Sequence, residues 1–247
     1  MSSHRRPARN PPAAPALLPA SILRPVLTLV LAAVVCLLQQ PAAQAAAPVA
    51  PEESAVSAGS WFCSRYVEAA AADSPAAADV LAAVRAFSLG YVYGVSEAVG
   101  KPFPEAADND RRIVELLDRG CREDGGRAVR DATLLAGRSM LEDARSAGGS
   151  PAADATGMLA CQAYLDASGR GAGAGAPGRP AARLDQVRNW ADGYINARFE
   201  RAGRGLIPTA KNKALMLERF SAACTARPST TVREAARGVV EATLPGK

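Results

Sequence analysis

The sequence has a single histidine, His4, and few aromatic side chains, which make up 5% of its 247 residues. It has no acidic residue before Glu52. Past the N-terminal segment it also lacks runs of β-branched residues and any sustained alternation of apolar and polar residues. Strands leave these two signatures in a sequence, so the composition predicts an all-helical protein.

The first 45 residues are typical of a secretory signal peptide. Four arginines precede an apolar run over residues 26–38, and the small residues Ala43-Gln44-Ala45 follow as a cleavage site. The run holds 13 residues, fewer than the roughly 20 that a membrane-spanning helix needs. We therefore predict export to the periplasm with cleavage near Ala45 and no membrane anchor afterwards. The alternative is an N-terminal anchor that stays uncleaved.

Removal of this segment would limit the chemistry left to the chain. His4 would leave with this segment. The remaining chain would then have no histidine for a Ser-His or Cys-His nucleophile pair or for a metal site. Loss of the four arginines would lower the formal charge from +5 to about 5 − 4 = +1. A net charge this small does not indicate a protein that binds nucleic acid. We predict no enzyme activity, cofactor, metal or nucleic-acid partner, although a hydrolase using only the carboxylates Glu115 and Glu218 stays open.

The rest of the chain contains an internal duplication. A shift of 103 positions places residues 81–132 on residues 184–235 without a gap, and 14 of the 52 positions are identical. The identical pairs include Gly90/Gly193, Tyr91/Tyr194, Glu97/Glu200, Glu115/Glu218, Cys121/Cys224 and Arg130/Arg233. The first cysteine of each copy aligns at a shift of 98, because copy two carries a Gly/Pro-rich insert over residues 169–180.

Helical periodicity recurs in both copies. Apolar residues spaced by three and four, from Leu81 to Tyr91 and from Leu184 to Tyr194, indicate a long second helix. Ser74-Pro75 suits the start of this helix in copy one, and Gly100 and Gly203 suit its two ends. A capping box at Thr231-Val-Arg-Glu234 predicts the start of the last helix. We predict four helices per copy, with Tyr91 and Tyr194 packed in the core and the recurring glutamates on the helix surface.

Four cysteines would remain after export, namely Cys63, Cys121, Cys161 and Cys224. An even number in an exported protein indicates disulfide bonds. The repeat favours Cys63–Cys121 and Cys161–Cys224 over the two other pairings. The absence of Cys-x-x-Cys argues for structural disulfides rather than redox-active ones, and a copy of about 90 residues is small enough to need one.

These residues resemble the HdeA/HdeB family of periplasmic acid-stress chaperones. Copy two carries the likeness best, in Cys161-Gln-Ala-Tyr164-Leu-Asp, Trp190-Ala-Asp-Gly193-Tyr194 and Cys224. The resemblance implies a helical bundle whose first and third helices are joined by the disulfide. It also implies a protein that loosens at low pH and binds unfolding clients. The cysteine spacing is longer than is typical of that family, and two modules are fused.

The predicted organisation is a signal peptide (1–45), a flexible N-terminus (46–58), helical module 1 (59–147), a linker (148–156) and helical module 2 (157–247). The predicted function is that of an exported stress chaperone with unfolded or envelope proteins as clients. The alternative is a cell-envelope protein-binding module on the same scaffold. Whether the copies pack together stays open at this point.

Overall fold

A computed structural model describes residues 56–143, 152, 155–170, 180–205 and 209–244. All of them belong to one compact unit. The predicted signal peptide, most of the predicted linker and most of the insert at 169–180 lie outside the described residues.

The described residues form eight α-helices and no strand, which confirms the all-helical class. The helices are α1 (Cys63–Ala71), α2 (Pro75–Ala98), α3 (Ala107–Glu123), α4 (Val129–Glu142), α5 (Cys161–Ala167), α6 (Pro180–Arg201), α7 (Ala210–Ala226) and α8 (Val232–Thr243). A single helical turn precedes α1 at Ala58–Ser60, and another precedes α5 at Thr156–Met158.

The helices begin and end where local chemistry favours it. The Ser74 side chain accepts a hydrogen bond from Ala77 N, and Pro75 occupies the first position of α2. Thr231 and Glu234 form the predicted capping box of α8. Gly100 and Gly203 each have a φ of 72° just past the ends of α2 and α6, a backbone conformation that favours glycine.

The described chain has a first half, residues 56–143 with α1 to α4, and a second half, residues 155–244 with α5 to α8. Each half is joined internally by a disulfide and by short backbone contacts. Cys63–Cys121 connects α1 to α3, and Cys161–Cys224 connects α5 to α7. Cys63 N donates to the carbonyl of Arg127, and Cys161 N donates to the carbonyl of Thr230, both at 2.8 Å. The four cysteines are therefore disulfide-bonded as the repeat predicted, and the same local backbone pairing occurs twice.

The two halves contact each other along α2 and α6, the most extensive helix pair in the structure. A Cβ atom built on Gly90 would lie 2.0 Å from the Trp190 carbonyl oxygen, and one on Gly193 would lie 2.1 Å from that of Phe87. Such distances are far shorter than any real Cβ contact, so both positions require glycine. Gly90 and Gly193 are an identical pair of the duplication, and the contact is reciprocal.

The hydrophobic core is shared between the halves. One buried group combines residues of the second half with Val92, Tyr93 and Ile113 of the first, and the other adds Ala197 to the first half. Among the described helices, α2 has the length and composition to cross a membrane, but 61% of its most apolar window is buried inside this protein. That burial is what a core helix shows.

Replacement of Gly90 by alanine tests the close contact of α2 and α6. We expect G90A to lower the free energy of unfolding by about 2 kcal/mol, because the new methyl group meets rigid backbone. Gly120 is the matched control, since a Cβ there would lie 3.8 Å from the Ala132 Cβ and meet only ordinary contacts. G120A should be neutral or stabilising by up to about 1 kcal/mol. Urea denaturation of both oxidised variants measures this, and equal stabilities would contradict the packing described.

Candidate functional site

Two equivalent hydrogen bonds connect the halves beside the contact of α2 with α6. The Tyr91 hydroxyl donates to Glu200 Oε2, and the Tyr194 hydroxyl donates to Glu97 Oε2, both at 2.7 Å. Both tyrosine rings are buried, as the sequence predicted. Burial, with the hydrogen bond to Glu97, raises the pKa of Tyr194 to about 12. Tyr194 stays protonated, so Glu97 is the partner in this pair that changes state in acid.

Glu97 is the centre of a cluster of charges, which we call the Glu97 cluster. Arg198, Arg233 and Arg237 lie within 3.2, 3.6 and 2.5 Å of its carboxylate oxygens. Its side chain is only 14% exposed, so its predicted place on the helix surface is wrong. Burial alone would raise the pKa of Glu97, but hydrogen bonds from Tyr194 and Arg237 and the arginine charges outweigh it and lower this pKa.

The arginines that surround Glu97 have no full counterpart at the equivalent glutamate, Glu200. The positions equivalent to Arg198 and Arg237 in copy one are Val95 and Leu134. The equivalent of Arg233 is Arg130, which pairs instead with its exposed neighbour Asp131 at 3.3 Å. Sequence reasoning missed the cluster because it compared the identical positions. The differing positions around the conserved Glu97/Glu200 pair were the signal that could have found it.

Glu105, which aligns with a proline in copy two, lies next to the cluster and was not predicted. Its side chain is 1% exposed, its Oε2 accepts a hydrogen bond from Gly157 N at 2.9 Å, and Arg233 Nη1 lies 3.6 Å from its Oε1. Burial raises the pKa of Glu105 to about 7. The charge of Arg233 and the Gly157 N–H oppose that rise, while Asp110 and Glu97 add to it.

A second buried carboxylate, Asp192, lies on α6. It accepts hydrogen bonds from the Ser57 hydroxyl at 2.7 Å and from Asn196 Nδ2 at 2.8 Å. Burial raises its pKa despite the nearby Lys213 charge and these two hydrogen bonds. Ser57 belongs to the first half, so this carboxylate also holds the halves together.

The other glutamates singled out from the sequence lie apart from the cluster. Glu115 is 64% exposed and pairs with Arg111 at 3.9 Å, as expected of a surface charge. Glu218 is also exposed. In the described part of the chain no three His, Cys, Asp or Glu side chains are grouped so as to hold a metal ion. Glu97, Glu105 and Asp192 are therefore the carboxylates whose protonation would change contacts between the halves.

Substitution of Glu97 tests how much the cluster contributes at neutral pH. Since the pKa of Glu97 is lowered by folding, its ionised form stabilises the fold above about pH 4, and this stabilisation is lost as pH falls. We expect E97Q to cost about 2 kcal/mol near neutral pH, because three arginines lose their counter-charge. Below about pH 3 the difference from the unaltered chain should vanish. E200Q is the matched control and should lower the free energy of unfolding less. Equal losses for the two variants in urea denaturation would contradict a cluster centred on Glu97 alone.

Glu105 should have the opposite pH dependence. A carboxyl whose pKa is raised by folding favours the folded state below its unfolded value, and this contribution is lost as pH rises through about 7. The free energy of unfolding of the unaltered chain should fall by roughly 2 to 3 kcal/mol between about pH 5 and pH 8, and we expect E105Q to make this fall smaller. Urea denaturation at several pH values measures it, with E115Q as the exposed control. An unchanged slope in E105Q would show that Glu105 ionises normally.

No protein-family model matches the chain, and no curated protein or solved structure matches it significantly.

Proposed function

We propose that the chain is an exported stress chaperone that opens in acid and holds unfolding client proteins. It would consist of two copies of one helical module, associated as two single modules would be in a dimer. The observation that carries the proposal is the pair of tyrosine–glutamate hydrogen bonds between the halves, Tyr91–Glu200 and Tyr194–Glu97. The likeness to HdeA/HdeB proteins in the cysteine, tyrosine and glycine positions supports it.

Acid would remove the attraction between the halves. As pH falls below the usual carboxyl pKa of about 4, the 24 acidic residues are neutralised, and Glu97, whose pKa is lowered, needs stronger acid than an ordinary carboxyl. On a chain cut near Ala45, 29 − 4 = 25 basic residues stay charged. Neutral Glu97 would leave three neighbouring arginines to repel one another. This repulsion favours separation of α2 from α6.

Separation would expose apolar surface that a client can bind. Helices α2 and α6 carry Phe87, Tyr91, Trp190 and Tyr194, each at most 1% exposed in the closed structure. The two disulfides would limit unfolding to this separation, because each fixes its own half. Disulfides also fit an oxidising compartment such as the periplasm.

The test follows opening and client protection over the same pH range. We expect the purified oxidised protein to lose near-UV circular dichroism and bind an apolar dye below about pH 4. Over that range it should also prevent the aggregation of an acid-labile enzyme. E97Q should move the midpoints of opening and of protection to higher pH together, since it removes the contact without acid.

The control is E115Q, whose exposed carboxylate holds no contact between the halves. Both of its midpoints should match those of the unaltered chain. A protein that stays closed at about pH 2, or protection that does not follow opening in E97Q, would remove the chaperone proposal. Either result would leave the envelope-binding module as the alternative.

A further inference from the structure

A groove of about 970 Å³ lies among α2, α6 and α7, away from the Glu97 cluster. Its volume is within the range of sites that bind small organic molecules. Trp61, Val80 and Leu217 contribute apolar wall, and Tyr164, Arg170 and Ser221 contribute polar groups. The groove therefore joins apolar surface to a few polar side chains, as ligand sites do.

The duplication supplies an internal comparison for the polar part of the groove. In copy one the Tyr66 hydroxyl donates a hydrogen bond to the carboxylate of Asp118. Arg85 Nε donates to the same hydroxyl at 3.2 Å. In copy one, a carboxylate and an arginine thus contact the same tyrosine hydroxyl.

Copy two keeps the tyrosine and the arginine but not the carboxylate. The residues equivalent to Tyr66, Arg85 and Asp118 are Tyr164, Arg188 and Ser221. The Tyr164 hydroxyl and Ser221 Oγ are 2.6 Å apart, and Arg170 Nη1 donates to Ser221 Oγ at 3.3 Å. All four of these copy-two side chains line the groove.

Charged side chains of both signs line the groove. Lys213 is largely buried at its wall, with Nζ 3.4 Å from Asn189 Oδ1. The carboxylates that also line the groove, Asp79, Asp185 and Glu218, are exposed, and Asp185 lies 3.8 Å from Arg188. The wall further includes Trp61, whose buried Nε1 has no hydrogen-bond partner among the described residues.

We propose that this groove binds an organic carboxylate with an apolar tail. The ligand carboxylate would take the place that Asp118 has in copy one, accepting hydrogen bonds from Tyr164, Ser221 and Arg170. The tail would lie against Trp61 and Leu217. Binding occurs in the closed structure at neutral pH and does not depend on opening in acid.

Calorimetric titration at neutral pH tests the proposal with decanoate, kept below its micellar concentration, as the probe. Decanol has the same tail without the charge and should bind at least about tenfold more weakly, the equivalent of about 1.4 kcal/mol. Decyltrimethylammonium should bind no better than decanol. Equal binding of decanoate and decanol, or no heat from decanoate up to its micellar concentration, would overturn the proposal.

Ser221→Asp separates this site from general apolar binding, because it restores the carboxylate of copy one and should weaken decanoate binding at least about tenfold. Arg170→Ala changes an exposed position and should also weaken decanoate binding. It provides a second test in case S221D does not fold. Asp118→Ser is the matched control in the other copy and should leave the affinity unchanged. Unchanged affinity in both S221D and R170A, with native circular dichroism, would also overturn the proposal.

Discussion

The direct backbone contact between α2 and α6 is the constraint on which the rest of the structure depends. Only glycine at positions 90 and 193 lets each helix reach the carbonyl of the other. This contact matters because the chain is rich in alanine and poor in aromatics, so burial per residue is small and close packing has to compensate. The few large rings, Phe87 and Trp190 among them, flank the contact, where they are fully buried.

The disulfides hold the short helices α1 and α5, which the contact between α2 and α6 does not stabilise. Helices α1 and α5 have nine and seven residues, too few to be stable alone in water. Cys63 and Cys161 begin these helices, and each is bonded to a cysteine of a longer helix, Cys121 of α3 and Cys224 of α7. The short helices thus stay on the core even if α2 and α6 part, and this is why the proposed opening need not become complete unfolding.

The repeating features could be predicted from the sequence, and the differences between the copies could not. Apolar spacing, the Ser74 and Thr231 caps and the paired cysteines are local or duplicated signals, and the structure contains each of them. Glu97 was misplaced on the surface because its partners Arg233 and Arg237 lie more than a hundred residues along the chain. No periodicity joins such positions, and only the folded contact of the halves brings them together.

The two glutamates near the cluster act with opposite sign, and together they set where the fold should weaken. Glu105, with a pKa near 7, is least favourable when ionised, so mild acid relieves a cost and stabilises the closed form. Glu97, with a lowered pKa, keeps its charge and its arginines until the solution is far more acidic. Stability should therefore rise before it falls as pH decreases. The proposed opening would therefore begin only in strong acid, the range in which an acid-stress chaperone would act.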